Sequence, residues 1–262
     1  MTKVMITTAG RPSEQTIARA KEIARELDVT YIHRNKQSVN DLIERFEAVI
    51  IVVGKERLEV FSLKDESPFF FHPNAAMFRA KRWLKAKEDP LVTACKIQRG
   101  DRIFDGTLGL ASDAILTSLA VGHEGEVIGS ETSRLIAYIV KQGLQTYKSG
   151  IEEIDEAMRR ITVEHAENLT WLCEQENDSV DIVYFDPMFE EAVKGSTGFD
   201  AIRPMTSNND LSFEIIEQAK RVAKKRVVLK DHFRSERFDK YGFNVQVRPS
   251  ATYHYGVIEL SS

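Results

Sequence analysis

Three carboxylates in this chain close runs that read as β-strands. They are Asp105 in Ile103-Phe104-Asp105, Glu131 in Val127-Ile128-Gly129-Ser130-Glu131, and Asp186 after Asp181-Ile182-Val183-Tyr184-Phe185. Open α/β sheets bind ligands outside the carboxyl ends of their strands, so acids delivered there are placed to do chemistry. Asp105 leads into Gly106-Thr107-Leu108-Gly109-Leu110-Ala111. Gly106 and Gly109 would let the backbone approach a ligand, and the helix that follows would offer free N–H groups to a carboxylate. Glu131 stands where an acid can accept both hydroxyls of a ribose. A fourth strand end, Val163-Glu164-His165-Ala166-Glu167-Asn168, offers Glu167 or Asn168 to the edge of an adenine.

The run Asp186-Pro187-Met188-Phe189 is the most specific. A planar amine is a poor nucleophile because its lone pair is delocalised into the ring. The Asp186 carboxylate and a main-chain carbonyl near Pro187 would bind both amine hydrogens and favour a more tetrahedral nitrogen. That interaction strengthens as the nitrogen attacks, so it lowers the barrier rather than merely binding substrate. Phe189 would stack on the ring and hold it in line. Each feature also has a plain structural alternative. The glycine loop serves as an ordinary βα turn, Glu131 as a helix-start acid before Thr132, and Asp-Pro as a strand-ending turn. His165 lacks a Cys, His or acid partner at metal-ligand spacing, so no metal site is expected.

Strands and helices must alternate to bring these ends together. Strands are expected at Arg102–Asp105, Glu126–Ser130, Ile161–Glu164, Val180–Phe185 and Arg226–Lys230. Helices fall between them at Ala111–Ala120, Thr132–Lys148, Ala166–Gln175 and Leu211–Lys224. Phe243–Arg248 and Thr252–Leu260 read as a closing antiparallel hairpin. Ahead of this lies a smaller α/β unit, with strands at Val4–Thr7, Ala48–Val53 and Leu58–Leu63 and helices at Ser13–Leu27 and Asn74–Lys87. Glu88-Asp89-Pro90 is the expected linker, since the residue before proline resists helix. The expected domains are therefore 1–88 and 89–262.

Composition narrows the classes. With 42% hydrophobic and 29% charged residues the chain is globular rather than disordered. No apolar run approaches the ~20 residues needed to span a bilayer, and the start lacks a signal pattern. Cys95 and Cys173 are too few for a disulfide framework, so a reduced, cytoplasmic setting is expected. A net charge of −4 argues against coating nucleic acid over the whole surface. Two basic stretches, Arg79–Arg99 and Lys220–Lys230, would either grip phosphate or form solvated helix faces. The loop after Asp105 is neither a Gly-x-Gly-x-x-Gly fingerprint nor a P-loop.

The Asp-Pro-x-Phe turn resembles the Asp/Asn-Pro-Pro-Tyr/Phe motif of S-adenosylmethionine-dependent methyltransferases that act on planar amino groups. Together, Asp105–Asp113, Glu131, His165–Asn168 and Val183–Phe189 resemble the ribosomal small-subunit methyltransferase J family, and Lys225–Lys230 looks like its penultimate parallel strand. The resemblance implies a class I methyltransferase fold: a Rossmann-like, mainly parallel seven-stranded sheet ending in an antiparallel hairpin. It implies S-adenosylmethionine as cofactor and methyl transfer to the exocyclic N2 of a guanosine in 16S rRNA, with the RNA or the small ribosomal subunit as partner. Cofactor contacts would fall on Ser112, Asp113, Glu131, Thr132, Glu167, Asn168 and Asp186, with Asp105, Gly106 and Gly109 shaping the loop. Asp186, Pro187 and Phe189 would act on the amine. The family has arginines where Ser112 and Thr132 stand, serines around Glu167 and Asn168, and a proline at Glu190. A small-molecule or protein amine is the alternative substrate, and a non-catalytic module holding RNA or a nucleotide is the alternative class.

Overall fold

A computed structural model describes residues 3–62, 67–187 and 211–260. These fall into two compact units, one of residues 3–72 with 133–139, the other of 73–132, 140–187 and 211–260.

In the first unit β1 (Val4–Thr8) is central, flanked in parallel by β2 (Thr30–Tyr31) and β3 (Val49–Val53), with β4 (Leu58–Phe61) antiparallel on β3. Helix α1 (Glu14–Leu27) starts at Ser13, whose hydroxyl accepts the Thr16 N–H. Helix α2 (Val39–Phe46) starts on a capping box in which Ser38 and Asp41 satisfy each other's backbone N–H. Met5, Leu42, Ile43, Ile50 and Val52 close the core. Neither β2 nor α2 was expected from the sequence. Two residues are too few to show a strand pattern, and α2 begins on a polar box rather than an apolar run.

The second unit begins with α3 (Asn74–Ala86) and α4 (Pro90–Cys95). The expected linker is the cap of α4. Asp89 accepts the Leu91 N–H, and Pro90 takes the first helical position, where a missing donor costs nothing. Then follow β5 (Arg102–Asp105), α5 (Ser112–Val121), β6 (Glu126–Glu131), α6 (Arg134–Thr146), α7 (Glu152–Arg160), β7 (Ile161–His165), α8 (Asn168–Glu174) and β8 (Val180–Phe185). The chain closes with α9 (Phe213–Val222), β9 (Ala223–His232), α10 (Arg237–Lys240), β10 (Asn244–Gln246) and β11 (Tyr253–Glu259).

The sheet order is β10-β11-β9-β8-β5-β6-β7. Strands β5 to β9 are parallel, and β11 runs antiparallel to both β9 and β10. This is the expected class I methyltransferase order. The central strands read as unbroken β-branched and aromatic runs because helices cover both faces. Phe104 of β5 stacks on Trp171 of α8, centroids 3.7 Å apart, within a core continuing through Val183, Phe185, Val227 and Leu229. From β5 the chain crosses to β6 and β7 on one side, and β8 leads to β9 on the other. The switch point, and therefore the crevice, lies between the carboxyl ends of β5 and β8. No helix among the described residues is long and apolar enough to cross a membrane.

Candidate active site

Parallel register puts Asp105 beside Gly129 of β6 and Tyr184 of β8, so the expected strand-end residues share one sheet edge. The loop after β5 is tied to both neighbours: Gly106 N–H donates to Tyr184 O (2.9 Å) and Leu108 N–H to Ser130 O (3.2 Å). A residue not expected in the site, Thr107, joins the two acids at the switch point. Asp105 Oδ1 accepts both the Thr107 N–H (2.9 Å) and its hydroxyl (3.2 Å), and the same hydroxyl oxygen accepts the Asp186 N–H at 2.6 Å.

The two loop glycines are required for different reasons. A Cβ on Gly106 would lie 2.5 Å from the Phe185 ring and 2.8 Å from Asn168 Oδ1, both buried in the core. Gly109 has φ +48°, a left-handed turn, and a Cβ there would meet only the Thr107 carbonyl at 3.8 Å among the described residues. Gly106 thus permits close packing within the protein, whereas Gly109 leaves a face open among the described residues. Ala111, also left-handed, starts α5 with no side-chain cap, so the amides of the first turn around Ser112 have no side-chain acceptor from it.

Glu131 ends β6 half-buried beside Thr132, whose hydroxyl lies 3.5 Å from Glu131 Oε1, and the Thr132 carbonyl is 3.1 Å from His165 Nε2. Glu167 is exposed at the start of α8, while Asn168 is buried and accepts the Ser130 hydroxyl at 2.8 Å. Asp113 faces the interior. Its Oδ1 meets the Arg79 guanidinium, and its Oδ2 accepts from the Tyr184 hydroxyl (2.8 Å) and Lys230 Nζ (3.2 Å). Arg79 also grips Asp89 through two contacts of 2.9 Å, and Lys230 reaches Asp186 Oδ2 at 2.5 Å. Pro187 is buried behind Asp186. Met188, Phe189, Glu190 and Glu191 lie outside the described residues.

These contacts redistribute the basic stretches. Arg79 of the first is bound internally, whereas Lys81, Arg82 and Lys85 of α3 are exposed around Phe78, which is 74% exposed. Much of the second stretch has protein partners. Lys225 binds Asp101 and Asp181, Arg226 binds Glu259, Arg221 donates to carbonyls of α8 and the turn beyond it, and Lys230 joins the site. Lys220 pairs with Glu217 of its own helix, and Lys224 is exposed.

The carboxylates differ sharply in proton affinity. Burial raises Asp105 to about 7, outweighing the lowering effect of the Thr107 hydrogen bonds. Asp113 is just as deeply placed, yet the charges of Lys230 and Arg79 outweigh burial and hold it well below the usual carboxylate range. Burial raises Asp186 to about 6; Lys230 opposes that rise and Asp113 adds to it.

The site thus gathers Glu131, a helix start with no side-chain cap and an acid–proline turn at the carboxyl edge of a class I sheet. The family model described as "Putative SAM-dependent methyltransferase" matches residues 37–247, and the chain belongs to that family. It is an S-adenosylmethionine-dependent methyltransferase. The uncharacterized protein YpiP of Bacillus subtilis is 48% identical over 98% of this chain and 100% of its own length. The ribosomal RNA small subunit methyltransferase J of Marinobacter nauticus is 28% identical over 49% of this chain and 46% of its own. That of Legionella pneumophila strain Paris is 27% identical over 60% of this chain and 63% of its own. A crystal structure of an S-adenosylmethionine-dependent methyltransferase from Neisseria gonorrhoeae has the same fold, with TM-score 0.62 and 16% identity over 97% of this chain and 95% of that one.

The residues present fit that donor. The open face over Gly109 and the α5 amides without a side-chain cap suit a close-approaching amino acid moiety, and Glu131 suits a ribose diol. The buried contacts of Gly106 and Asp105 make two predictions. Gly106→Ala costs about 1–3 kcal/mol in urea unfolding because neither Phe185 nor Asn168 has room to retreat. Asp105 binds a proton in the folded state between pH ~4 and about 7 that it lacks when unfolded, so its contribution to stability falls as pH rises through that window. Asp105→Asn removes this slope. From pH 5 to 8 the variant gains about 2 kcal/mol relative to wild type in paired urea melts.

Proposed function

We propose that this methyltransferase acts in the cytoplasm on the exocyclic N2 of a guanosine in 16S rRNA, within the small ribosomal subunit or its precursor RNA. The reading rests on the Asp186 carboxylate, set at the switch point with its Oδ2 held by Lys230. S-adenosylmethionine, when bound, supplies an electrophilic methyl group. Gly109, Ser112, Glu131, Thr132 and Glu167 form the wall that holds it, while the buried Asp105, Gly106 and Asn168, together with Asp113, set that wall from behind.

Asp186 Oδ1, with the carbonyl near Pro187, accepts the amine hydrogens and draws the nitrogen lone pair out of conjugation. As the nitrogen becomes positive the fixed carboxylate stabilises it, an electrostatic contribution made mainly in the transition state. Phe189 is proposed to stack on the guanine.

Two features support an RNA substrate over a small-molecule or protein amine. Curated relatives matched over part of their length are named for ribosomal RNA, and α3 presents Phe78, Lys81 and Lys85 on one exposed face. Aromatic and basic side chains so interleaved suit single-stranded RNA, where bases stack on rings and phosphates meet lysines.

The test uses small subunits purified from cells lacking the gene, with labelled S-adenosylmethionine and mass spectrometry of the rRNA nucleosides. Wild-type protein is expected to restore one N2-methylguanosine. No incorporation into RNA would reject the substrate. Asp186→Ala is expected to reduce transfer at least about 100-fold while calorimetry still detects S-adenosylhomocysteine binding. Lys81→Glu with Lys85→Glu is expected to raise KM for subunits about tenfold at low salt and by a smaller factor at higher salt, with kcat retained; an unchanged KM would remove α3 from the RNA path.

A further inference from the structure

We infer that Lys230 is a positioning residue for Asp186: its ammonium bridges the Asp186 and Asp113 carboxylates, keeping Asp186 an acceptor and presenting its other oxygen to the substrate amine. The inference rests on the reading of Asp186 given above and adds a residue 44 positions away in the chain.

The geometry is that of two carboxylates sharing one cation. Lys230 Nζ is 2.5 Å from Asp186 Oδ2 and 3.2 Å from Asp113 Oδ2, with its side chain only 16% exposed. The ammonium also lies over the Tyr253 ring, 5.1 Å from its centroid, where a cation is attracted to the π face. Like charges so close cannot both ionise without a shared cation, and one would otherwise take a proton. Asp113 keeps Arg79 and the Tyr184 hydroxyl in any case, so the proton would fall on Asp186. A protonated Asp186 would lose its negative field and turn one acceptor oxygen into a donor. The charged and titratable groups around the pair are Asp105 from β5, Asp113 from α5, Arg79 from α3, Tyr184 from β8, and Tyr253 and Tyr255 from β11. Among these described groups Lys230 is the cation in contact with Asp186. Its neighbours from β5 and α5 are acids that oppose ionisation of Asp186.

The test is carbon-detected NMR titration of the Asp186 carboxyl in aspartate-labelled full-length protein, assigned with Asp186→Asn. Lys230→Met is expected to move the Asp186 titration upward by more than about one pH unit, and Lys230→Arg to keep it near wild type. Should Lys230→Met fail to fold, Asp113→Asn gives an independent reading. Removing the competing carboxylate is expected to move Asp186 downward by about one unit. An Asp186 titration unmoved in the folded variants, with Asp186→Ala abolishing methyl transfer, would overturn the role of Lys230 alone. Methyl transfer unaffected by Asp186→Ala would overturn the reading of Asp186 and the positioning role with it.

Discussion

The second unit depends on how one buried carboxylate is neutralised. Asp113 sits in the first turn of α5 with Arg79 on one oxygen and Lys230 and Tyr184 on the other. Removing any one partner would leave a desolvated charge uncompensated, a loss of about 3–5 kcal/mol for such pairs. An apolar replacement of the whole set would fold as well or better, so stability alone does not account for it. Its effect is positional. Arg79 belongs to α3, Asp113 to α5, Tyr184 to β8 and Lys230 to β9, and the four meet beside the edge at which Asp186 emerges. The cluster joins those four elements through one carboxylate.

A second, smaller lock acts at the switch point. The Thr107 hydroxyl donates to Asp105 and accepts the Asp186 N–H, so the loop after β5 and the turn after β8 move together. Methyl transfer needs donor and acceptor aligned within a fraction of an ångström. A protein that binds the donor on one strand end and the amine on the next gains from a short hydrogen-bonded link between them. Asp105 is buried to serve this link, which explains why its proton affinity is so far above that of an exposed carboxylate. Asp113 and Asp186, a few residues' reach away, titrate differently because cations and not only burial set their environment.

Much of this was legible in the sequence, and the boundary has physical causes. Strands buried on both faces announce themselves as runs such as Val180–Phe185, and the antiparallel ending was readable from two alternating segments around Pro249. Helix α7 went unread although its ends carry a signal: Glu152, Glu153 and Asp155 at the start and Arg159 and Arg160 at the close suit the helix dipole. Its charge density masked an apolar face of just Ile154, Ala157 and Met158. The strand-end acids could be located, but not their partners. Arg79 looked like an RNA-facing residue of a basic helix, and only the packing of α3 against α5 turns its guanidinium to Asp113. Lys230 was readable as part of a strand, while its pairing with acids 44 and 117 positions away is a property of the folded chain. Ion pairs between distant elements leave no periodicity, so sequence patterns cannot report them.

The proposed chemistry requires one arrangement: the methyl donor along the carboxyl edge of β5, β6 and β7, with its sulfur directed toward Asp186. A crystal structure of the protein with S-adenosylhomocysteine measures this directly. The ribose hydroxyls are expected on Glu131, the amino acid end over Gly109 and the α5 amides, and the thioether sulfur facing the Asp186-Pro187 turn across room for a planar amine. A ligand whose sulfur points away from Asp186, or whose ribose leaves Glu131 uncontacted, would contradict it.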